Sequence, residues 1–359
     1  MKKITAKIAA FLLTVVAAAT VQAAGTLDVY WADVEGGAGT IIVTPAGQSI
    51  LIDTGVPASS SGPGGKCAAR IHDIAVKAGL SKIDFLVTTH FHMDHFGGAA
   101  DVAKLIPIGQ ILDNGIPDHD SDGVAANDAS FARQIQPYRD IKADGRSVIQ
   151  VGYVFPLKQY DGSAPLTLTC IGARKQFPAP PGTLTNTICA DGVQHAVDTT
   201  DNANSIVMLL KFGPFRFFIG GDLTWNMESN LVCPYNVPGT VDLYQVDHHG
   251  LNLSNNPLLV RSLEPTVAVM SNGPRKGAMP ETMTTLRAVP SIQTIWQIHR
   301  NTLGGKEFNT DTNYIANMPA NTCEGNYIKC SVDPSGKTYT VSIPATGATQ
   351  TYATKVNRP

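Results

Sequence analysis

Six consecutive residues, His90-Phe91-His92-Met93-Asp94-His95, put three imidazoles and a carboxylate directly after Ile83 to Val87, a run that reads as a buried strand. In extended chain, residues i and i+2 face the same way, so His90 and His92 can grip one ion from one side. As the chain turns toward a helix opening at Gly97-Gly98, Asp94 and His95 can reach a second ion close by. Imidazole and carboxylate donors suit zinc first, and manganese or iron as well. Four donors from one loop do not complete two coordination spheres, so further ligands are expected at other strand ends. Asp222 stands at one, after the apolar Phe217-Phe218-Ile219 and two glycines, where a carboxylate can bridge two cations. His248 and His249 end another, after Val241 to Val246 and before Gly250. Two cations held together lower the pKa of a bound water from about 15.7 toward about 7 and polarise a scissile carbonyl or phosphoryl group. That is the chemistry of a hydrolase.

The elements that must position these residues follow from periodicity. Thr26 to Ala32, Thr40 to Thr44 and Ser49 to Ile52 read as strands, the last ending at Asp53-Thr54-Gly55. A helical stretch, Cys67 to Ala78, precedes the strand that delivers the histidine loop. Ser205 to Phe212 and Phe215 to Ile219 predict a hairpin turning at Gly213-Pro214. Helices near Asn256 to Leu263 and Glu281 to Ala288 then alternate with strands Thr266 to Met270 and Thr294 to His299. Strands that come first as a meander, then helices that alternate with strands twice over, suggest two sheets packed face to face with helices outside, a four-layer αββα sandwich. The segment from Asp113 to Asp201, with a helix expected over Asn127 to Lys142, reads as loops and insertions decorating one face. The expected division is residues 1–23 as a signal peptide, 24–305 as the hydrolase domain, and 306–359 as an irregular β extension packed on it.

Lys2, Lys3 and Lys7, the apolar run Ile8 to Ala19 and Val21-Gln22-Ala23 have the pattern of a secretion signal. Export to a periplasm or the medium is therefore expected, with no membrane anchor after cleavage. The 359-residue chain carries 27 Lys and Arg against 29 Asp and Glu; losing three lysines with the signal takes its formal charge from −2 to −5. Six cysteines in an exported chain suggest disulfides, with Cys323–Cys330 the easiest local pair and Cys170–Cys189 able to close the Pro-rich loop between them. His195, His72 and His119 read as surface or loop residues, and His299 as a strand-end residue that either lines the pocket or is satisfied elsewhere.

Taken together, these residues resemble the metallo-β-lactamase superfamily: the DxG turn at Asp53, the HxHxDH loop His90 to His95, the strand-end Asp222 and the terminal histidine. The similarity is greatest to the hydrolase domain of competence (DNA-uptake) proteins and their secreted relatives. It is carried by Asp33-Val34-Glu35-Gly36-Gly37, Asp201-Asn202-Ala203-Asn204-Ser205, Gly221-Asp222-Leu223-Thr224 and His248-His249-Gly250. The resemblance implies the αββα fold and two divalent metal ions. His90 and His92 would bind the first, Asp94 and His95 the second, Asp222 would bridge, and His248 would close the second site, with His249 the alternative ligand. It further implies that Asp94 orients the attacking water, that His249 assists the leaving group, and that Asp53 orients a ligand histidine. Many members place another histidine where this chain has Asn202 to Ser205, which leaves Asn204 or a water for that position.

Substrate class follows less directly. A carboxylate at Asp222 is kept by esterase, lactonase and phosphodiesterase members and usually lacking in antibiotic-cleaving ones, and the competence-protein resemblance favours phosphodiesters. A charge of −5 without a basic run disfavours a nucleic-acid groove; Arg261, Arg275 and Lys276 are a small basic set, better matched to a small-molecule phosphodiester. The alternatives are a carboxylic ester or lactone, held by an aromatic insert of Phe131, Tyr138, Tyr153, Phe155 and Phe177, and an exported binding module without activity.

Overall fold

The computed structural model describes residues 25–120, 128–319 and 323–356; the signal-like segment and the first residue of the helix expected from Asn127 lie outside them. The strands run in chain order as β1 (Leu27–Trp31), β2 (Thr40–Val43), β3 (Ser49–Ile52), β4 (Ile83–Val87), β5 (Ile108–Asp113), β6 (Ala143–Val148), β7 (Leu166–Gly172) and β8 (Val207–Phe212). They continue as β9 (Phe215–Ile219), β10 (Leu243–Gln245), β11 (Val267–Met270), β12 (Thr294–His299), β13 (Ile315–Asn317), β14 (Ile328–Val332), β15 (Thr338–Ile343) and β16 (Ala348–Ala353). The first sheet has the order β16-β15-β14-β1-β2-β3-β4-β5-β6 and the second β13-β12-β11-β10-β9-β8-β7. Each sheet begins as an antiparallel meander and continues in parallel pairings, from β3 through β6 and from β9 through β13.

Three apolar layers show why the sequence stacks this way. Period-two alternation sends Leu27, Val29 and Trp31 of β1 into the core between the sheets, where they join Phe215, Phe217 and Ile219 of β9; the Trp31 and Phe217 rings meet edge-on at 5.7 Å. Tyr30 and Ala32 face the other way, into an outer core shared with helices α1 (Cys67–Lys77), α2 (Met93–Phe96), α3 (Ala99–Leu105) and α4 (Asp128–Arg139). Phe218 and Tyr244 of the second sheet face helices α5 (Trp225–Val232), α6 (Pro257–Leu263) and α7 (Pro280–Ala288). Two sheets with helices outside both, the αββα sandwich, is the expected architecture, with extra β strands added at the C-terminal end.

Three expectations change. The segment from Asp113 to Asp201 contributes β6 and β7, the edge strands of the two sheets, and its helix ends at Arg139 because the chain enters β6 four residues later. The aromatic residues of the insert are distributed among the cores instead of being gathered in one pocket. Phe131 and Tyr138 pack in the outer core of the first sheet, Phe155 lies between the sheets with Tyr153 against it, and Phe177 packs on the second sheet's outer core. The disulfide joins Cys189 to Cys233, while Cys67, Cys170, Cys323 and Cys330 are free thiols. Cys170 and Cys330 point into the core between the sheets, which removes both from the partners expected by proximity in sequence. Among the described residues, no helix is long and apolar enough to cross a membrane.

Candidate metal centre

The parallel strands β9, β10 and β11 end side by side, so the loops that follow them leave from one edge of the second sheet. The loop after β4 approaches from the first sheet, and the four segments converge in the crevice beyond the strand ends, where α/β folds place their sites. Close approach depends on small residues. Gly221 has φ +61, and a Cβ there would lie 3.1 Å from the Thr89 side chain; at Gly220 it would lie 2.3 Å from Asp247 Oδ1. Glycines therefore let the Asp222 loop touch the histidine loop.

Two donor sets result, and Asp222 belongs to both. His90, His92 and Asp222 offer three ligand atoms within 4.8 Å of one another, and Asp94, His95, Asp222 and His249 offer four. Asp222 Oδ2 lies 3.1 Å from His95 Nε2, 3.3 Å from His249 Nε2 and 3.9 Å from His90 Nε2. Asp94 Oδ2 lies 3.2 Å from His249 Nε2 and 3.6 Å from His95 Nε2. His90 Nε2 is buried without a hydrogen-bond partner, although a buried polar atom left unpaired costs about 1–3 kcal/mol. Inward-facing imidazoles, shared carboxylates and an orphaned nitrogen fit one or two metal ions better than they fit a hydrogen-bonded polar core.

Electrostatics prepares the carboxylates. Burial alone would favour their neutral forms, but His95, Lys276 and His249 hold Asp94 well below the usual carboxylate range, and His249, His95 and His248 do the same for Asp222. Burial opposes charge on His95 as well, yet Asp222, Asp53 and Asp94 outweigh it and raise its pKa. On His90, burial and the neighbouring His95 lower it. A second layer fixes the rings. Asp53 Oδ2 stands 2.8 Å from His95 Nδ1 and accepts from the Thr89 hydroxyl, which is itself 3.1 Å from His90 Nδ1. His249 Nδ1 faces the Ser271 carbonyl at 3.2 Å.

The two adjacent histidines part company. His249 Nε2 lies inside the second donor set, the position expected for His248. His248 Nε2 stands at the edge, 3.5 Å from Asp222 Oδ2, with Nδ1 3.1 Å from the Ser254 hydroxyl. Burial and His249 bring the His248 pKa down to about 4, against the opposing pull of Asp222. Asn204 turns its amide to Asp201 Oδ1 at 3.0 Å, and His195 stacks on Trp225 at 3.9 Å on the surface. His299 is buried but pairs with Asp33 at 2.7 Å, outside both donor sets. Two features escaped the sequence reading. Lys276 reaches Asp94 Oδ2. Asp33, Glu35, His299 and Cys323 form a third group, into which Arg70 inserts its guanidinium.

A sequence profile described as the metallo-beta-lactamase superfamily matches residues 34–169, which include the His90 to His95 loop. No curated protein matches the chain. Solved structures similar to it include the diiron β-hydroxylase CmlA from Streptomyces venezuelae, at 15% identity and a TM-score of 0.38 over 68% of this chain and 44% of that one. This chain therefore spans less than half of that enzyme. Others are MEM-A1, a subclass B3 metallo-beta-lactamase from a soil metagenome library (13% identity, TM-score 0.35, 77% and 78% covered), and a diphosphatase from the PhnP family (13%, 0.38, 75% and 94%). The αββα layers, the two convergent donor sets and the profile matched over residues 34–169 together give this chain a metallo-β-lactamase-type fold that carries the donor sets of a metal-dependent hydrolase.

Proposed function

We propose that the protein is an exported phosphodiesterase of the competence-protein branch, acting on small anionic substrates with two divalent cations, zinc being the natural occupant. The observation that carries the reading is Asp222 Oδ2, which stands within reach of histidines from both donor sets. A single oxygen so placed suits a bridge between two ions, the arrangement that clamps the attacking and leaving oxygens of an in-line displacement. The ester reading loses its support, because the aromatic residues it needed are core.

His90, His92 and Asp222 would hold one cation, and Asp94, His95, His249 and Asp222 the other. Bound there, divalent cations supply Lewis acidity toward a phosphoryl oxygen and a water acidic enough to attack near neutral pH. The chain's own residues do the rest. Asp53 fixes His95 through Nδ1, so Nε2 faces the site with its lone pair. Asp94 accepts and orients the proton of the attacking water. If His248 Nδ1 accepts from the Ser254 hydroxyl, its neutral ring presents Nε2–H and would give a hydrogen bond, without transferring the proton, to the departing oxygen. The strand-end histidines thus exchange the roles that the family resemblance implied for them.

The test is hydrolysis of a chromogenic phosphodiester beside a matched carboxylic ester by metal-stripped protein refilled with zinc or manganese. A metal-restored preference for the phosphodiester of ~100-fold, about 2.7 kcal/mol at the transition state, is expected. An ester preference of that size would overturn the reading.

A further inference from the structure

His90, His95, Asp222 and His249 are almost fully buried, whereas His92 is half-buried, the Asp94 side chain is 23% exposed and that of Lys276 is 39% exposed. Asp94 and Lys276 therefore meet on the accessible side of the second donor set. Lys276 is held there firmly. Its loop follows β11, is tied to the loop after β10 where Ala278 N donates to the His249 carbonyl at 3.0 Å, and is closed on itself where Gly273 N donates to the Lys276 carbonyl at 2.9 Å. Gly277, with φ +80, lies where a Cβ would come within 2.0 Å of the His249 carbonyl oxygen. Gly273 packs on the backbone of Glu35 and Gly36 from the other side. The ammonium bonds to Asp94 Oδ2, the same oxygen that turns toward His95 and His249.

A lysine placed there is costly for cation binding and would be out of place in a centre for neutral substrates. Asp53, Asp94 and Asp222 bring three negative charges; two divalent cations would leave the centre with one positive charge, and Lys276 makes it two. A phosphodiester brings one negative charge, shared by two unesterified oxygens, into the site, and a neutral ester has no charged ground-state partner for the ammonium. Building on the phosphodiesterase reading, we propose that Lys276 is the substrate-positioning residue of this site: its Nζ takes an unesterified oxygen of the phosphodiester at the mouth of the centre and selects anionic substrates over neutral esters. Arg275, one residue away, is exposed and serves as the control for a charge near the site.

The experiment uses the metal-loaded mature protein as wild type, Lys276→Met, Lys276→Arg and Arg275→Met, with metal content measured for each. The ratio of phosphodiester to ester kcat/KM should fall at least ~10-fold in Lys276→Met, mostly through KM, recover in part in Lys276→Arg, and move less than ~2-fold in Arg275→Met. An equal fall in Arg275→Met would make it a long-range field effect and overturn the proposal, as would an unchanged ratio in Lys276→Met. Inorganic phosphate, as a competitive inhibitor of ester cleavage, separates this from failure of the phosphodiesterase reading. If the wild type cleaves only the ester, that reading falls, while an inhibition constant weakened at least ~10-fold in Lys276→Met still supports Lys276 as the anion contact. An unchanged constant overturns it.

Discussion

Two clusters in this molecule are made from nearly the same ingredients and are completed in opposite ways. The centre beyond β4, β9 and β10 gathers Asp94, Asp222 and four imidazoles, and Lys276 stands at its rim. Behind it, Asp33, Glu35, His299 and Cys323 gather just as closely, but Arg70 NH1 lies 3.1 Å from Asp33 and 3.0 Å from Glu35. His299 Nε2 adds a contact to Asp33 at 2.7 Å. The guanidinium takes the place that a metal would need. Burial and Asp33 push the Cys323 thiol up to about 12, and it donates to Asp33 Oδ2 at 3.0 Å. One cluster is neutralised by its own chain on folding and the other leaves its negative charge for imported cations. The filled cluster also shapes the open one. It ties β1's exit, α1 and the end of β12 together, and the loop it anchors donates Ala38 N to the Asp94 carbonyl and abuts Gly273 of the Lys276 loop.

The sharpest way to break the contrast is to delete one carboxylate or cation from each cluster. Asp222→Ala removes the residue common to both donor sets, so metal content and turnover should fall together, turnover by at least ~10⁴-fold, more than 5 kcal/mol. Metal analysis after dialysis reads the first and a phosphodiester assay the second; full activity with full metal would end the bridging assignment. Arg70→Met should do the reverse. It leaves Asp33 and Glu35 without their cation in a site where Asp33 is fully buried, which costs about 3 kcal/mol of stability, while metal content per folded molecule stays at the wild-type value. Loss of metal from Arg70→Met would mean that the two clusters are one functional unit.

What could be seen in the sequence divides along the same line. The HxHxDH loop is legible because its donors are neighbours in the chain and follow a strand whose apolar run leaves no other reading. Asp222 is legible because Phe217 to Ile219 marks a strand end and Gly220-Gly221 marks a close approach. The choice between His248 and His249 is not, because both residues adopt left-handed backbone, with φ 52 and 56. Strand alternation fails there, and only the fold decides which ring turns inward. Arg70, Asp33, His299 and Cys323 are separated by up to 290 residues, so nothing local announces their meeting. The same limit explains the cysteines: Cys189 and Cys233 are brought together across 44 positions, while Cys330 is claimed by the core of β14. The aromatic residues of the middle segment looked like a pocket because composition alone does not distinguish a cavity lining from a core face.

The smallest effect tests the closed cluster by pH. Burial would raise the pKa of Asp33, but His299 and Arg70 overcome it and bring the group below its ordinary value of 3.8. A carboxyl whose pKa is lower in the folded chain than in the unfolded one stabilises the fold above the unfolded value, and that stabilisation is lost as pH falls through the folded value. In wild type the contribution is therefore complete from about pH 5 upward and disappears only below the unfolded pKa of about 3.9. Arg70→Met removes one of the two opposing cations, so burial recovers part of its effect and the folded pKa rises. The loss should then begin at higher pH, with the midpoint of acid unfolding moving up by roughly half a unit to one unit. The gap in stability between the two proteins should be widest near neutrality and close as Asp33 is protonated in both. Urea unfolding from pH 3 to 8, at equal metal content, reads this directly. A gap independent of pH would show that Arg70 acts by packing its stem rather than by holding Asp33 ionised, and the two clusters would then differ in shape alone.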